Sequence, residues 1–106
     1  MDAHTQSPVE PLTALRALEH GVVVRLDDRG ESIGDAKDST IARRLLELGF
    51  VPGAAIEIVA TMWPGGDPMA VRVGGSTFAL RRHEAQVVQI RRSTAAPGWI
   101  DGRRGD

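Results

Sequence analysis

The chain has 106 residues, enough for one small domain with a single core, and its 13 basic residues nearly balance 14 acidic ones to leave a net charge of −1. That balance argues against a dedicated nucleic-acid binder, although most of the basic residues are arginines from Arg43 onward, which leaves room for a locally basic face. The absence of cysteine excludes disulfides, thiolate metal sites and cysteine nucleophiles.

Residues 1–11 read as a flexible leader. Asp2 and Glu10 stand where a secretory signal would carry a basic and then an apolar region, so no signal peptide is expected. No apolar run approaches the roughly 20 residues that span a bilayer, and the expectation is a soluble, cytoplasmic protein without membrane insertion. A folded domain is expected over residues 12–92 and a loose tail, rich in Gly, Pro and Arg, over 93–106. Leu12, Ala14, Leu15 and Leu18 suggest a short helix ended by Gly21, and Val22–Leu26 follows as a β-branched strand. Asp27–Ser39 is a polar loop, long for a compact domain. Asp38 or Ser39 is placed to cap a helix that starts near Thr40.

The most informative stretch is Arg43-Arg44-Leu45-Leu46-Glu47-Leu48-Gly49-Phe50-Val51-Pro52-Gly53. Leu45 and Leu48 share a helical face with Ile41. Gly49 stands where a helix commonly ends in a left-handed residue. Pro52-Gly53 suits the centre of a type II turn. The period then changes to strand-like: Ile56 and Ile58 face one way, Glu57 and Thr61 the other. Met62–Pro68 is a loop. Met69–Val73 forms the next strand, with Val71 and Val73 inward and Arg72 outward, and Gly74-Gly75 is a two-residue hairpin turn of the primed type. Thr77–Arg81 returns, Arg82–Ala85 makes a helical turn, and Gln86–Ile90 closes the set. Five short strands with tight turns predict a mainly β fold: a small closed or half-closed SH3-like barrel with one or two short α-helices.

Two blocks carry a family resemblance. Leu45–Gly53 followed by Ile56 and Ile58, and then Gly66-Asp67-Pro68, a strand, Phe78-Ala79-Leu80-Arg81, Glu84-Ala85 and Val88, together resemble the FeoA family of bacterial ferrous iron transport accessory proteins over about Val22–Ile90. The resemblance implies a cytoplasmic SH3-like barrel that supports a large membrane Fe²⁺ transporter bearing a G-protein domain. It departs from the family pattern where Glu19-His20-Gly21 replaces the usual Pro-Gly before the first strand. The same barrel also occurs at the C-terminus of metal-responsive repressors of the diphtheria toxin repressor type. A regulatory module of that kind is the alternative, although the helix-turn-helix and dimerisation helices such repressors need are not found here.

Candidate functional residues each admit a structural and a functional reading. Leu45, Leu48 and Phe50 are core anchors or the floor of a shallow docking groove. Arg43 and Arg44 form a solvated helix face or contact an acidic partner, with an arginine finger as the sharpest form of the latter. Trp63 shields one end of the barrel or serves as an exposed anchor. Gly49, Pro52, Gly53, Gly66, Pro68, Gly74 and Gly75 are explained by backbone geometry, and Asp67 by capping of a turn. Trp63-Pro64-Gly65-Gly66-Asp67-Pro68 lacks the lysine and the following helix of a phosphate-binding loop. With no tyrosine, two tryptophans and two phenylalanines, the chain can hardly build a proline-peptide groove.

His4, His20 and His83 show no paired metal-ligand spacing; His83-Glu84 supplies at most two ligands, so no metal site or cofactor is expected. Arg104-Gly105-Asp106 is a chance adhesion tripeptide. No nucleophile–base pair stands out, and the expected role is a non-enzymatic interaction module, with weak homodimerisation compatible with a small apolar barrel.

Overall fold

Alternating burial along the strands builds the sheet. The computed structural model describes residues 8–27, 36–62 and 65–93, residues 36–39 by backbone alone. In chain order they form β1 (Val9–Pro11), a 3-10 turn (Leu12–Ala14), β2 (His20–Leu26), α1 (Ala36–Leu48), β3 (Ala55–Thr61), β4 (Met69–Val73), β5 (Ser76–Leu80), α2 (Arg82–Ala85) and β6 (Val88–Ser93). The six strands make one antiparallel sheet in the order β1-β6-β2-β3-β4-β5. The last strand therefore lies between the first two. Register shifts break the β2–β6 ladder between Val23 and Arg25 and the β3–β4 ladder between Ile58 and Ala60. Such bulges increase local twist and curl the sheet.

Leu12, Val23, Leu45, Phe50, Ile56, Ile58, Val71, Val88 and Ile90 lie at the centre of one continuous apolar cluster. Within it Phe50 packs on Phe78, with ring centroids 6.2 Å apart and planes tilted by 56°. Every second residue of β4 faces this core, as the period-2 rule requires, and Arg72 lies on the opposite face.

The mainly β, barrel-like fold with two short helices is as expected, with corrections. The sheet has a sixth strand and is open, because β1 and β5 are its two ends and do not pair. That strand lies in the expected leader: Val9–Pro11 pair with Arg91–Gln89 of β6. Only Leu12–Ala14 of the expected first helix is helical, as a 3-10 turn. The helix expected near Thr40 already includes Ala36, so Asp38 and Ser39 lie within it rather than before its first residue.

Gly21 ends no helix. It is buried within β2, where an added Cβ would stand 2.7 Å from the Arg91 carbonyl oxygen. It is glycine because two backbones approach closely there. Gly74 has φ of 61° and Gly75 has no positive φ, the pattern of a type II′ turn. β6 extends to Ser93, one residue into the expected tail. His4, the loop 28–35, Trp63, Pro64 and residues 94–106, with the adhesion-like tripeptide, lie outside the described residues.

Candidate partner-binding surface

The end of α1 is fixed by backbone hydrogen bonds rather than by side chains. The Phe50 N–H donates to the Leu45 carbonyl and the Gly49 N–H to the Leu46 carbonyl, both at 3.0 Å. This 6→1 and 5→2 pair, with Gly49 at φ 114°, is a Schellman motif, in which the left-handed residue satisfies carbonyls the helix leaves open. The chain then passes through Val51-Pro52-Gly53-Ala54, where Gly53 has φ 93° and the Ala54 N–H donates to the Val51 carbonyl at 2.9 Å, a type II turn. The Gly53 N–H also donates to the Val23 carbonyl, and the Val23 N–H to the Ala54 carbonyl. The turn is thereby tied to β2.

This stretch separates the sequence-derived site residues into two groups. Leu45 and Phe50 are 2% and 0% exposed, so both are core residues and neither floors a groove. Leu48 is half-buried against the core. Arg43 and Arg44 are exposed. Arg44 reaches Glu84 at 3.4 Å, while Arg43 makes no ion pair among the described residues. Around α1, its turn and β2, the apolar side chains presented outward include Leu46 at 42%, Val51 at 41% and Val22 at 36% exposure, none of them a site candidate from the sequence. Leu46 and Arg43 lie three apart on one helical face. Val22, Pro52 and Gly53 line a cleft of about 360 Å³ with Arg91, Arg92 and Ser93.

Arg92, at the edge of that cleft, was also missed. Its Nε donates to Glu10 Oε2 at 2.9 Å, one terminal nitrogen to Glu19 Oε1 at 2.8 Å and the other to the Ala14 carbonyl at 3.2 Å. The fork of the guanidinium thus joins β6, β1 and the segment before β2. The Arg16 N–H also donates to Glu19 Oε1, and that bond, followed by the Arg92 contact, lowers the Glu19 pKa from its ordinary value. Glu10 first and Glu19 second raise the pKa of Arg92.

The second sequence block serves the start of α2. Asp67 Oδ1 accepts the Arg82 N–H at 3.0 Å, so Asp67 caps a helix fifteen residues on. Glu84 accepts the Arg81 N–H at 2.8 Å. Glu84 is thus engaged by Arg81 and Arg44, and His83 beside it is exposed. His20 Nδ1 is buried and has no hydrogen-bond partner among the described residues. No group of three or more potential metal ligands gathers among the described residues, and none of the helices described there is long and apolar enough to cross a membrane.

Comparison with known proteins places this geometry. A family model described as the FeoA domain matches residues 10–92. A solved FeoA from Stenotrophomonas maltophilia, in complex with zinc, is 41% identical, with 76% of this chain and 87% of that one covered at a TM-score of 0.63. It is described as a prokaryotic SH3-domain protein and a candidate ferrous iron transport activating factor. Iron(II) transport protein A from Clostridium thermocellum is 30% identical over 77% of this chain and 44% of that one, with a TM-score of 0.59. A manganese-dependent transcriptional repressor shares the fold at 20% identity and a TM-score of 0.66, over 82% of this chain and 43% of the repressor. Comparison with curated protein sequences gives no match.

Proposed function

The chain belongs to the FeoA family, and on that premise we propose that it is a cytoplasmic, non-enzymatic accessory factor of ferrous iron uptake, acting by contact with a large membrane Fe²⁺ transporter that bears a G-protein domain. The observation that carries this reading is the family match from residue 10 to residue 92, which spans both sequence blocks and every strand apart from the first residue of β1 and the last of β6. Its S. maltophilia relative, described as a candidate transport activating factor, supports the same direction. The outward face of α1 and the rigid turn after it supply a contact surface of suitable chemistry. Arg43 offers a cation with no ion-pair partner among the described residues, and Leu46 and Val51 offer apolar area. Both are held by the bonds at Gly49 and Gly53 rather than by a mobile loop. In this reading Leu45 and Phe50 hold the surface in shape and the partner meets Arg43, Arg44, Leu46, Leu48 and Val51.

The test is Fe²⁺ uptake by cells with and without the chain, with the transporter at equal abundance. A marked loss without it is expected, together with a partial loss for Arg43→Glu or Leu46→Glu in variants that remain folded. Unchanged uptake would overturn the accessory reading. Tight, sequence-dependent binding to duplex DNA at low salt would replace it with the regulatory alternative.

A further inference from the structure

An open sheet has two edges, and the two here differ in chemistry. β1 spans three residues and ends in Pro11, which can donate nothing to a further strand. β5, Ser76–Leu80, carries neither charge nor proline, and its ladder with β4 runs without a bulge. Those are the devices that commonly blunt an edge, and β5 has none of them. Its register shows which groups are free. In the two-residue hairpin the Val73–Ser76 pair is hydrogen-bonded, so Val71–Phe78 and Met69–Leu80 are too, and the alternate pairs Arg72–Thr77 and Ala70–Ala79 are not. The N–H and C=O of Thr77 and Ala79 therefore point away from β4. Both residues are exposed, and no bond to either group from another element is found among the described residues.

The surroundings specify the occupant. Arg81 and Arg82 follow β5 directly, and both are exposed. Arg81 stands 4.0 Å from Asp67, while the Arg82 side chain has no acidic partner among the described residues. The nearby carboxylates are committed, Asp67 to the Arg82 N–H and Glu84 to Arg44 and the Arg81 N–H. We propose that the free edge of β5 takes an extended acidic segment of a protein partner as an added strand, with main-chain bonds to Thr77 and Ala79 and a carboxylate on Arg82. This rests on the reading that the chain works by protein contact. A second copy is the weaker occupant: stable dimers bury about 1,200–2,000 Å², and a five-residue edge covers far less.

The test uses the full ¹⁵N-labelled chain and two capped octapeptides, Thr-Val-Glu-Val-Asp-Val-Glu-Thr and its counterpart with lysine at every acidic position. The acidic peptide is expected to shift and protect the Thr77 and Ala79 amides. Ala79→Pro removes an outward donor and leaves the β4 ladder bonds in place; it should weaken binding about tenfold, and the surface change Arg82→Glu about threefold. Absence of a response at Thr77 and Ala79 at millimolar peptide, equal binding of the lysine peptide, or protection that grows with protein concentration alone would each overturn the proposal. Cellular uptake separates the two readings. If uptake depends on the chain but is untouched by Ala79→Pro and Arg82→Glu, the accessory role stands and the edge site falls.

Discussion

Replacing Gly21 with alanine tests the packing of β2 on β6 at its tightest point. The new Cβ would lie 2.7 Å from the Arg91 carbonyl oxygen and 3.3 Å from Ile90 Cδ1. An ordinary carbon–oxygen contact is about 3.3–3.6 Å, so the strands would have to part by more than half an ångström. Neither neighbour yields easily: Ile90 is fully buried, and Arg91 is held in register opposite Val22. Overpacking of this kind costs about 1–3 kcal/mol. Loss of glycine from the unfolded chain returns roughly 0.4–1 kcal/mol, which leaves a net destabilisation of about 1–2 kcal/mol. Urea unfolding followed by circular dichroism should show the midpoint falling by about 0.5–1 M with an unchanged slope. The control is Gly75→Ala, at a residue with open space around it and no positive φ. That variant should match the parent or exceed it by up to about 1 kcal/mol. If Gly21→Ala proved as stable as the parent, the close-approach argument would be refuted.

At Gly49 an added Cβ meets nothing nearer than a Val73 methyl at 3.8 Å, so Gly49→Ala should lose about 1–2 kcal/mol through its φ of 114° alone, as read by the same urea titration. Removing the α2 cap with Asp67→Ala should cost about 1 kcal/mol and speed amide exchange at Arg82 first. Arg92→Met should lower the melting temperature and free β1, visible as faster exchange at Val9 and Glu10 than in the parent.

The Glu19 carboxyl titrates below its ordinary value of 4.5 because the Arg16 N–H and Arg92 favour its charged form. Its contribution to stability is therefore complete above 4.5 and is lost as pH falls through the lower, folded value. Acid unfolding of Glu19→Gln should show a shallower loss of stability below that pH than the parent shows.

The parts legible in the sequence were those governed by local rules. Gly49, Pro52-Gly53 and Gly74-Gly75 each answer to the conformational demands of two to four consecutive residues, and each lies where those demands predicted. Alternation along Met69–Val73 likewise fixed which face is buried. The misreadings share a different cause. β1 is three residues long and is a strand only because β6 returns to pair with it from some 80 positions away. Gly21 looked like a terminator because glycine ends helices, and the backbone approach that requires it comes from Arg91. The sequence points to a start of α1 near Thr40, since Asp38 and Ser39 look like caps in isolation, whereas the helix already includes Ala36. Among the site residues, Leu45 and Phe50 could be assigned to core or surface only by their three-dimensional neighbours. Arg92 gave no local signal, because Glu10, Ala14 and Glu19 all lie more than seventy residues before it.

The placement of β6 between β1 and β2 has a consequence for the order of events when the protein is made. β2 to β5 follow one another as neighbours, so their pairing can proceed as the chain emerges from the ribosome. β1 emerges before any of them yet has no partner until Val88–Ser93 arrive, and Arg92 cannot close its three bonds until the same moment. The final described strand thus completes two ladders at once. A nascent chain cut short before residue 88 would keep the β2–β5 meander and leave one whole flank of β2 unpaired, which is the kind of surface that quality-control machinery engages.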